Sequence, residues 1–369
     1  MDVVQREIAT YALEPLDRLV RREWGAFPET LRRWAAEGWS GSTDEFLLDE
    51  TPYADDLIHL VGIDVPLSPP FAEETLEATA EYTLVRTPAG AIEKFPRGKV
   101  RTEEAMPEYV RHPVQCREDW FRTVKPRLDS DTPARWEDFA ANGERVRAEV
   151  EAGSRLYQGM AIGGYMYLRA LLGPEGALLA FYDDPALVRD MMETWLHLLT
   201  TCLLRVQRKV PLFKFLIGED ISYKNGPLIS PAMIREFLFP FYHDLLESLR
   251  EGQAQPMHAE VDTDGNVDAV IPLYTEVGFD TFRPFEVAAG CDVVRHAREH
   301  PRLIMSGGID KRALAAGPEA IEAEVRRIVP AMARRGGYIP TCDHTVPSNV
   351  SYRTYRFYRS LVASLDAAG

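Results

Sequence analysis

The chain has 369 residues, 46% hydrophobic and 27% charged, an ordinary globular composition with length enough for a large buried core. Its 57 acidic and 42 basic residues leave a formal net charge of −15, which repels phosphate backbones and anionic lipid and so argues against nucleic acid or a membrane surface as partner. No stretch reaches the ~18 unbroken apolar residues of a membrane helix, and Met1 to Glu14 is charged throughout, unlike a signal peptide; the expected location is the cytoplasm.

In chain order, Leu19 to Phe27 reads as a strand, Pro28 to Gly38 as a helix and Leu57 to Gly62 as another short element. Leu76 to Arg86 and Ala91 to Phe95 flank the turn signal Thr87-Pro88-Ala89-Gly90, so a β-hairpin excursion is expected over about 76–100, with Leu84, Val85 and Ile92 on its packed face. Residues 106–138 are Pro-punctuated and charged, with Trp120 and Trp136, and read as a long connection packed on the surface. Asp184-Pro185 opens a helix through Arg208, and Ser230 caps one over Pro231 to Leu249. Gly317-Pro318-Glu319 opens a helix reaching Arg334, and a closing helix follows Val350.

Between these helices lie short apolar runs. Strands are expected at Leu212 to Ile217, up to Val261, and at Thr281 to Phe285, Leu303 to Met305 and Tyr338 to Pro340. Strands alternating with helices build parallel sheets, and the reading is a (β/α)₈ TIM barrel, one domain over 1–369 with elaborated loops. No internal repeat, low-complexity tract or Ser/Gly-rich hinge divides it.

In such a barrel the strand C-terminal ends carry the chemistry. Here those ends present Glu219 and Asp220, Asp262 and Asp264, Glu286, Asp310 and Lys311, then Cys342, Asp343 and His344. Any one of these acids is explained by helix capping. Together they crowd negative charge into one concavity, which calls for a metal, a cationic group or raised pKa values. Arg155, Arg169 and Lys311 are the basic candidates for a substrate carboxylate, and imidazole chemistry near neutrality makes His344 a candidate ligand or acid/base. Asp262-Thr-Asp-Gly-Asn266 starts like a calcium loop, but Ile271 stands where the closing glutamate belongs. Ser306-Gly-Gly-Ile309 is either a phosphate-binding turn or close backbone packing. His258 lies within a strand and reads as structural; His59, His112, His197, His243, His296 and His300 read as packed or solvated. Cys116, Cys202 and Cys291 read as buried thiols.

Several stretches resemble the uroporphyrinogen decarboxylase superfamily, which includes corrinoid and coenzyme M methyltransferases. They are Gly62-Ile-Asp-Val65, Asp220 through Pro240, Ser306-Gly-Gly-Ile-Asp310, and Gly337-Tyr-Ile-Pro-Thr-Cys-Asp-His-Thr-Val-Pro347. The resemblance implies a TIM barrel. In the decarboxylase an Arg-x-x-x-Arg element grips the substrate; this chain keeps Arg22 but has Ala26 in the second place, and the catalytic aspartate falls near Asp55 or Asp56. In the methyltransferases a His-x-Cys pair and a later cysteine bind zinc; the similar positions here are Asp262, Asp264 and Cys342, with His258-Ala-Glu260 as a shifted alternative. The resemblance therefore implies a metal-assisted methyltransferase component. Asp264, Cys342 and His344 are its expected ligands for a divalent metal, zinc first. Asp262, Glu286, Asp310 and His344 are expected as catalytic groups, and Arg22, Trp24, Arg169, Asp220, Tyr223, Lys224 and Lys311 as substrate contacts. A corrinoid would come from a separate partner protein, the substrate is a small molecule, and a homodimer is expected. The alternatives are a carboxy-lyase acting on a carboxylated substrate and a non-catalytic corrinoid-binding barrel.

Overall fold

The computed structural model describes residues 1–41, 51–54, 66–98 and 107–367; Asp55, Asp56, Leu57 to Gly62 and the Gly62–Val65 stretch lie outside them. Four strands, β1 (Glu74–Ala78), β2 (Tyr82–Arg86), β3 (Ile92–Pro96) and β4 (Glu108–Arg111), form an antiparallel sheet in that order. The hairpin turn at Thr87–Gly90 joins β2 to β3, but Leu76 to Arg86 is two strands folded at Thr79–Glu81, and β4 adds a fourth from the expected connection. The buried residues of β3 are Glu93 and Phe95, whereas Ile92 is only half-buried.

The main sheet is parallel and contains β5 (Gln158–Ile162), β6 (Lys214–Gly218), β9 (His258–Asp262), β10 (Thr281–Arg283), β11 (Ile304–Ser306) and β12 (Tyr338–Ile339). Between β6 and β9 a two-stranded ribbon, β7 (Ser222–Tyr223) and β8 (Gly226–Pro227), stands beyond the end of β6. The spatial order is β5-β6-β9-β10-β11-β12. Two extended segments continue the wall at its edges. Tyr53 bridges in parallel to Leu156 just before β5, with Leu156 N–H donating to Pro52 at 2.7 Å, and Ala26 bridges to Val346 after β12. The architecture is the (β/α)₈ barrel. Leu19 to Phe27, expected as a strand, forms no regular strand; its sheet pairing is the single bridge at Ala26. The strand β5 escaped the sequence reading, although alternating residues lead into its Gly163-Gly164 end.

Phe215, Leu216 and Ile217 of β6 are all buried, as a strand walled on both faces by barrel interior and helices requires. Helix starts follow their caps: Asp184 accepts from Leu187 N–H at 3.1 Å, and Ser230 from Met233 N–H at 3.2 Å. The expected helix from Pro231 to Leu249 is two, Pro231–Phe237 and Phe239–Glu251, because Pro240 has no N–H to continue the ladder. Likewise a short helix, Lys311–Ala316, precedes the long Pro318–Arg335. Among the described residues no helix is long and apolar enough to cross a membrane.

The helix Val3–Tyr11 lies across the N-terminal end of the barrel. The Tyr11 ring packs on Phe213 at 5.2 Å and on His258 at 4.9 Å, residues at the entry of β6 and β9. Ala9 of this helix joins the large buried core, while Tyr11 packs with Val20, Ile304 and Ile339 in a smaller one.

Candidate functional site

Inside the barrel, inward positions of the strands carry charge where apolar residues usually fill the layers. Lys214 at the start of β6 lies 2.6 Å from Glu260 in β9, and Arg283 at the end of β10 reaches Glu260 from the other side at 3.1 Å. Burial raises the Glu260 carboxyl, but the two cations outweigh it and hold it below the usual carboxylate range. The Tyr11 hydroxyl donates to Glu260 at 3.2 Å; Arg22 and the Tyr53 hydroxyl both donate to Glu7 at 2.7 Å. All of these except Glu7, with Trp24, Ser306 and Thr341, line an axial cavity of about 130 Å³.

Above this cavity stands Asp262, the last residue of β9. Arg283 donates to its Oδ2 at 3.0 Å while its guanidinium lies 4.4 Å over the Trp24 ring. Burial pushes the Asp262 carboxyl up to about 7; Arg283 opposes this, and the neighbouring Asp220 and Asp264 charges add to it. A carboxyl poised near neutrality exchanges protons readily. Asp220 follows in a left-handed turn with φ +38, and burial, then the Asp264 charge, raise its carboxyl too. Asp264 and His344 face each other at 3.5 Å, with His344 against Trp24 and Phe27. Between them, after β10 and β11, Lys311 Nζ lies 3.1 Å from Glu286, whose other oxygen accepts from Gly265 N–H at 3.2 Å. Burial would lower the Lys311 ammonium, but the Asp343 and Glu286 charges outweigh it and the net shift is upward.

Two buried acids brace this mouth from behind. Glu219 accepts from the Tyr274 hydroxyl at 2.5 Å and from Tyr165 N–H at 3.3 Å, and burial pushes it up to about 8 against those hydrogen bonds. Asp343 accepts from Val287 N–H at 2.9 Å and from Lys311 N–H at 2.8 Å, tying the loops after β10 and β11 together; burial raises it to about 6.

The sequence profile described as uroporphyrinogen decarboxylase (URO-D) matches residues 103–364. The chain belongs to that family. A search of curated proteins returns no match. Among solved structures, a methyltransferase from Methanosarcina mazei superposes with a TM-score of 0.60 at 14% identity, covering 99% of both chains. A chitinase from Rhizomucor miehei overlaps 64% of this chain and 90% of its own at 10% identity, with a TM-score of 0.32, too loose to carry an argument. The first likeness is one of fold, and it agrees with the barrel assignment.

Within this URO-D barrel, the mouth gathers Asp262, Asp264, His344, Asp220, Trp24, Glu286 and Lys311. Arg22 lies deeper, in the axial cavity and paired with Glu7. Tyr223 and Lys224 stand exposed on the β7–β8 ribbon beside the mouth. Arg169, on the helix Gly164–Leu172, lines a separate pocket of about 60 Å³ with Glu93, Tyr109 and His112, although its charge reaches Asp220. Asp310 caps the helix Lys311–Ala316 through Arg312 N–H at 2.8 Å and pairs with the Arg312 guanidinium. Arg155 precedes β5, at the opposite end of the barrel, and bonds to the Thr51 carbonyl. A Cβ on Gly307 would stand 1.8 Å from the Pro284 carbonyl oxygen, so close backbone packing accounts for the Gly-Gly turn.

The expected metal ligands do not converge. Among the described residues, donor atoms gather within 4.8 Å of one another at His296, Glu299 and His300 and at His243, Asp244 and Glu247; Asp264, Cys342 and His344 form no such group. Cys342 is fully buried in the wall, its N–H bonded to Glu23 at 2.9 Å, and burial with the Asp343 and Glu23 charges raises its thiol far above the usual range. Cys116 is exposed, not buried as expected. Sequence reasoning placed Glu219 at a strand end but gave no site role to Lys214, Glu260 or Arg283, the groups that set the charge of the interior.

Proposed function

We propose that this URO-D family member is a methyl-transfer enzyme acting on a small molecule at the barrel mouth, with the methyl group delivered by a separate corrinoid-carrying protein. The observation that carries the reading is Asp262, a carboxyl near neutral pKa held by Arg283 beside the Trp24 face and over a small cavity. The donor's methyl carbon forms its new bond to a thiol or amine of the acceptor. The old bond's electron pair leaves with the donor, and Asp262 takes the acceptor's proton. Arg283 orients Asp262, and Trp24 shields the pair from water. A corrinoid on the partner protein would supply the methyl group. The full-length likeness to a methyltransferase fold is in keeping with this reading.

The second reading is a carboxy-lyase on a small acid, favoured by the three cations Arg22, Lys214 and Arg283 lining the cavity. There the bond to the carboxylate breaks, carbon dioxide leaves, and the carbon's electron pair takes a proton from Asp262.

The test incubates the protein with methylcobalamin and a panel of small thiols and amines, follows the methylcobalamin spectrum, and identifies methylated product by mass spectrometry. Parallel incubations with uroporphyrinogen and small carboxylic acids measure released carbon dioxide. Methylated product that falls by ~10²-fold or more in Asp262→Asn supports the proposal. Carbon dioxide release without methylated product replaces it with the second reading, and neither product leaves the non-catalytic barrel.

A further inference from the structure

The helix Val293–Glu299, after β10, holds a cluster that the proposed reaction does not use. His296 and Glu299 occupy positions i and i+3, which share one helix face, His300 caps the helix end with φ −128 and ψ 75, and donor atoms of all three lie within 4.8 Å of one another. His296 is fully buried against Phe285 at 5.3 Å. Its Nδ1, 3.9 Å from a Glu299 oxygen, takes part in no hydrogen bond with a described residue. A buried ring nitrogen without a partner is rare enough to demand a reason.

Its other nitrogen supplies one. Nε2 lies 3.3 Å from Asp268, in the loop after β9. Arg295 Nη2 lies equally close to Nε2, at 3.3 Å, and as a pure donor favours the proton on Nδ1 in the metal-free protein; a cation on the Glu299 side would displace that contact, leaving Asp268 to hold the proton on Nε2 and the Nδ1 lone pair to the ion. Carboxylate behind imidazole is the arrangement that orients histidine ligands toward metals.

We propose that His296, Glu299 and His300 form a site for a divalent transition-metal ion of borderline softness, zinc first, with Asp268 orienting His296. Two imidazoles and a carboxylate are a zinc donor set. The partly exposed Glu299 and His300 leave the remaining coordination to solvent. Arg295 now pairs with Glu299 at 3.0 Å and with Asp268 at 2.5 Å. Metal uptake exchanges the first, a half-exposed pair of small net worth, for coordination. The ion would fasten the end of this helix to the loop that also carries Asp264 and Asn266.

The full chain, stripped with chelator, is titrated with zinc chloride by calorimetry, and with cobalt(II) to read the ligand field by absorption. One equivalent should bind. Affinity should fall at least tenfold in Glu299→Ala and in His300→Ala, both at partly exposed positions the fold tolerates, and stay at the wild-type level in His344→Ala and His243→Ala. Zinc should raise the melting temperature of the wild-type protein and not of His300→Ala. Wild-type affinity in both cluster variants, loss of binding in His344→Ala or His243→Ala, or no binding below millimolar zinc overturns the proposal.

Discussion

Replacing Glu219 by glutamine removes an ionisable group from the most enclosed part of the site. In the unfolded chain its carboxyl titrates at 4.5, in the fold at about 8. At ~1.36 kcal/mol per pH unit this difference is about 5 kcal/mol. Below pH 4.5 the group is protonated in both states and contributes no pH dependence. Between 4.5 and about 8 the unfolded chain releases a proton that the native state keeps, so stability falls as pH rises; above 8 the loss is complete. Glutamine mimics the protonated acid but must fit its NH₂ against the Tyr274 hydroxyl, now 2.5 Å away as a donor. A strained hydrogen bond there costs ~1–3 kcal/mol, so the net gain at pH 8.5 should be about 2–4 kcal/mol. Melting curves followed by the fluorescence of the 6 tryptophans should show Glu219→Gln melting above wild type at pH 8.5, with the advantage shrinking toward pH 5. Parallel pH profiles for the two proteins, or a variant that melts lower at pH 8.5, would refute the buried-acid account.

Three further substitutions probe the frame. Lys214→Met leaves Glu260 buried with Arg283 as its remaining strong cation, and should cost about 3 kcal/mol, the low end for a broken buried pair; denaturant titration measures it. Gly307→Ala drives a methyl group to within 1.8 Å of the Pro284 carbonyl at φ +114, and should abolish soluble folded protein, as circular dichroism of the purified variant would report. Asp310→Ala removes a helix cap and should cost about 1 kcal/mol in the same denaturant titration.

Much of the barrel was legible because strand ends and helix starts are chemically marked. Asp184 and Ser230 cap helices where the sequence places them, whereas Asp310 caps a short helix the sequence did not signal, and β6, β9, β10, β11 and β12 fall on the expected apolar runs with boundaries shifted by a few residues. The first half was harder: Leu19–Phe27 and residues 51–54 contribute to the wall through isolated bridges, which leave little alternation in the sequence. Reading only strand ends also hid the interior. Lys214 in Lys-Phe-Leu-Ile and Glu260 in His-Ala-Glu-Val-Asp interrupt apolar runs at inward positions, and that interruption was the available signal. Cys342 shows the converse error, because adjacency to Asp343 and His344 in sequence does not put three side chains on one side of the wall.

The hydrogen bond from Tyr11 to Glu260 spans 249 positions along the chain. At a synthesis rate of ~5–20 residues per second, the helix Val3–Tyr11 waits roughly 12 to 50 s on the ribosome for the strand it closes upon. Throughout that interval Glu7 and Tyr11 lack the strand that completes their surroundings, and the segment is exposed to proteases and chaperones. Slowing translation between them should therefore lower the yield of native protein more than the same pause placed after β9.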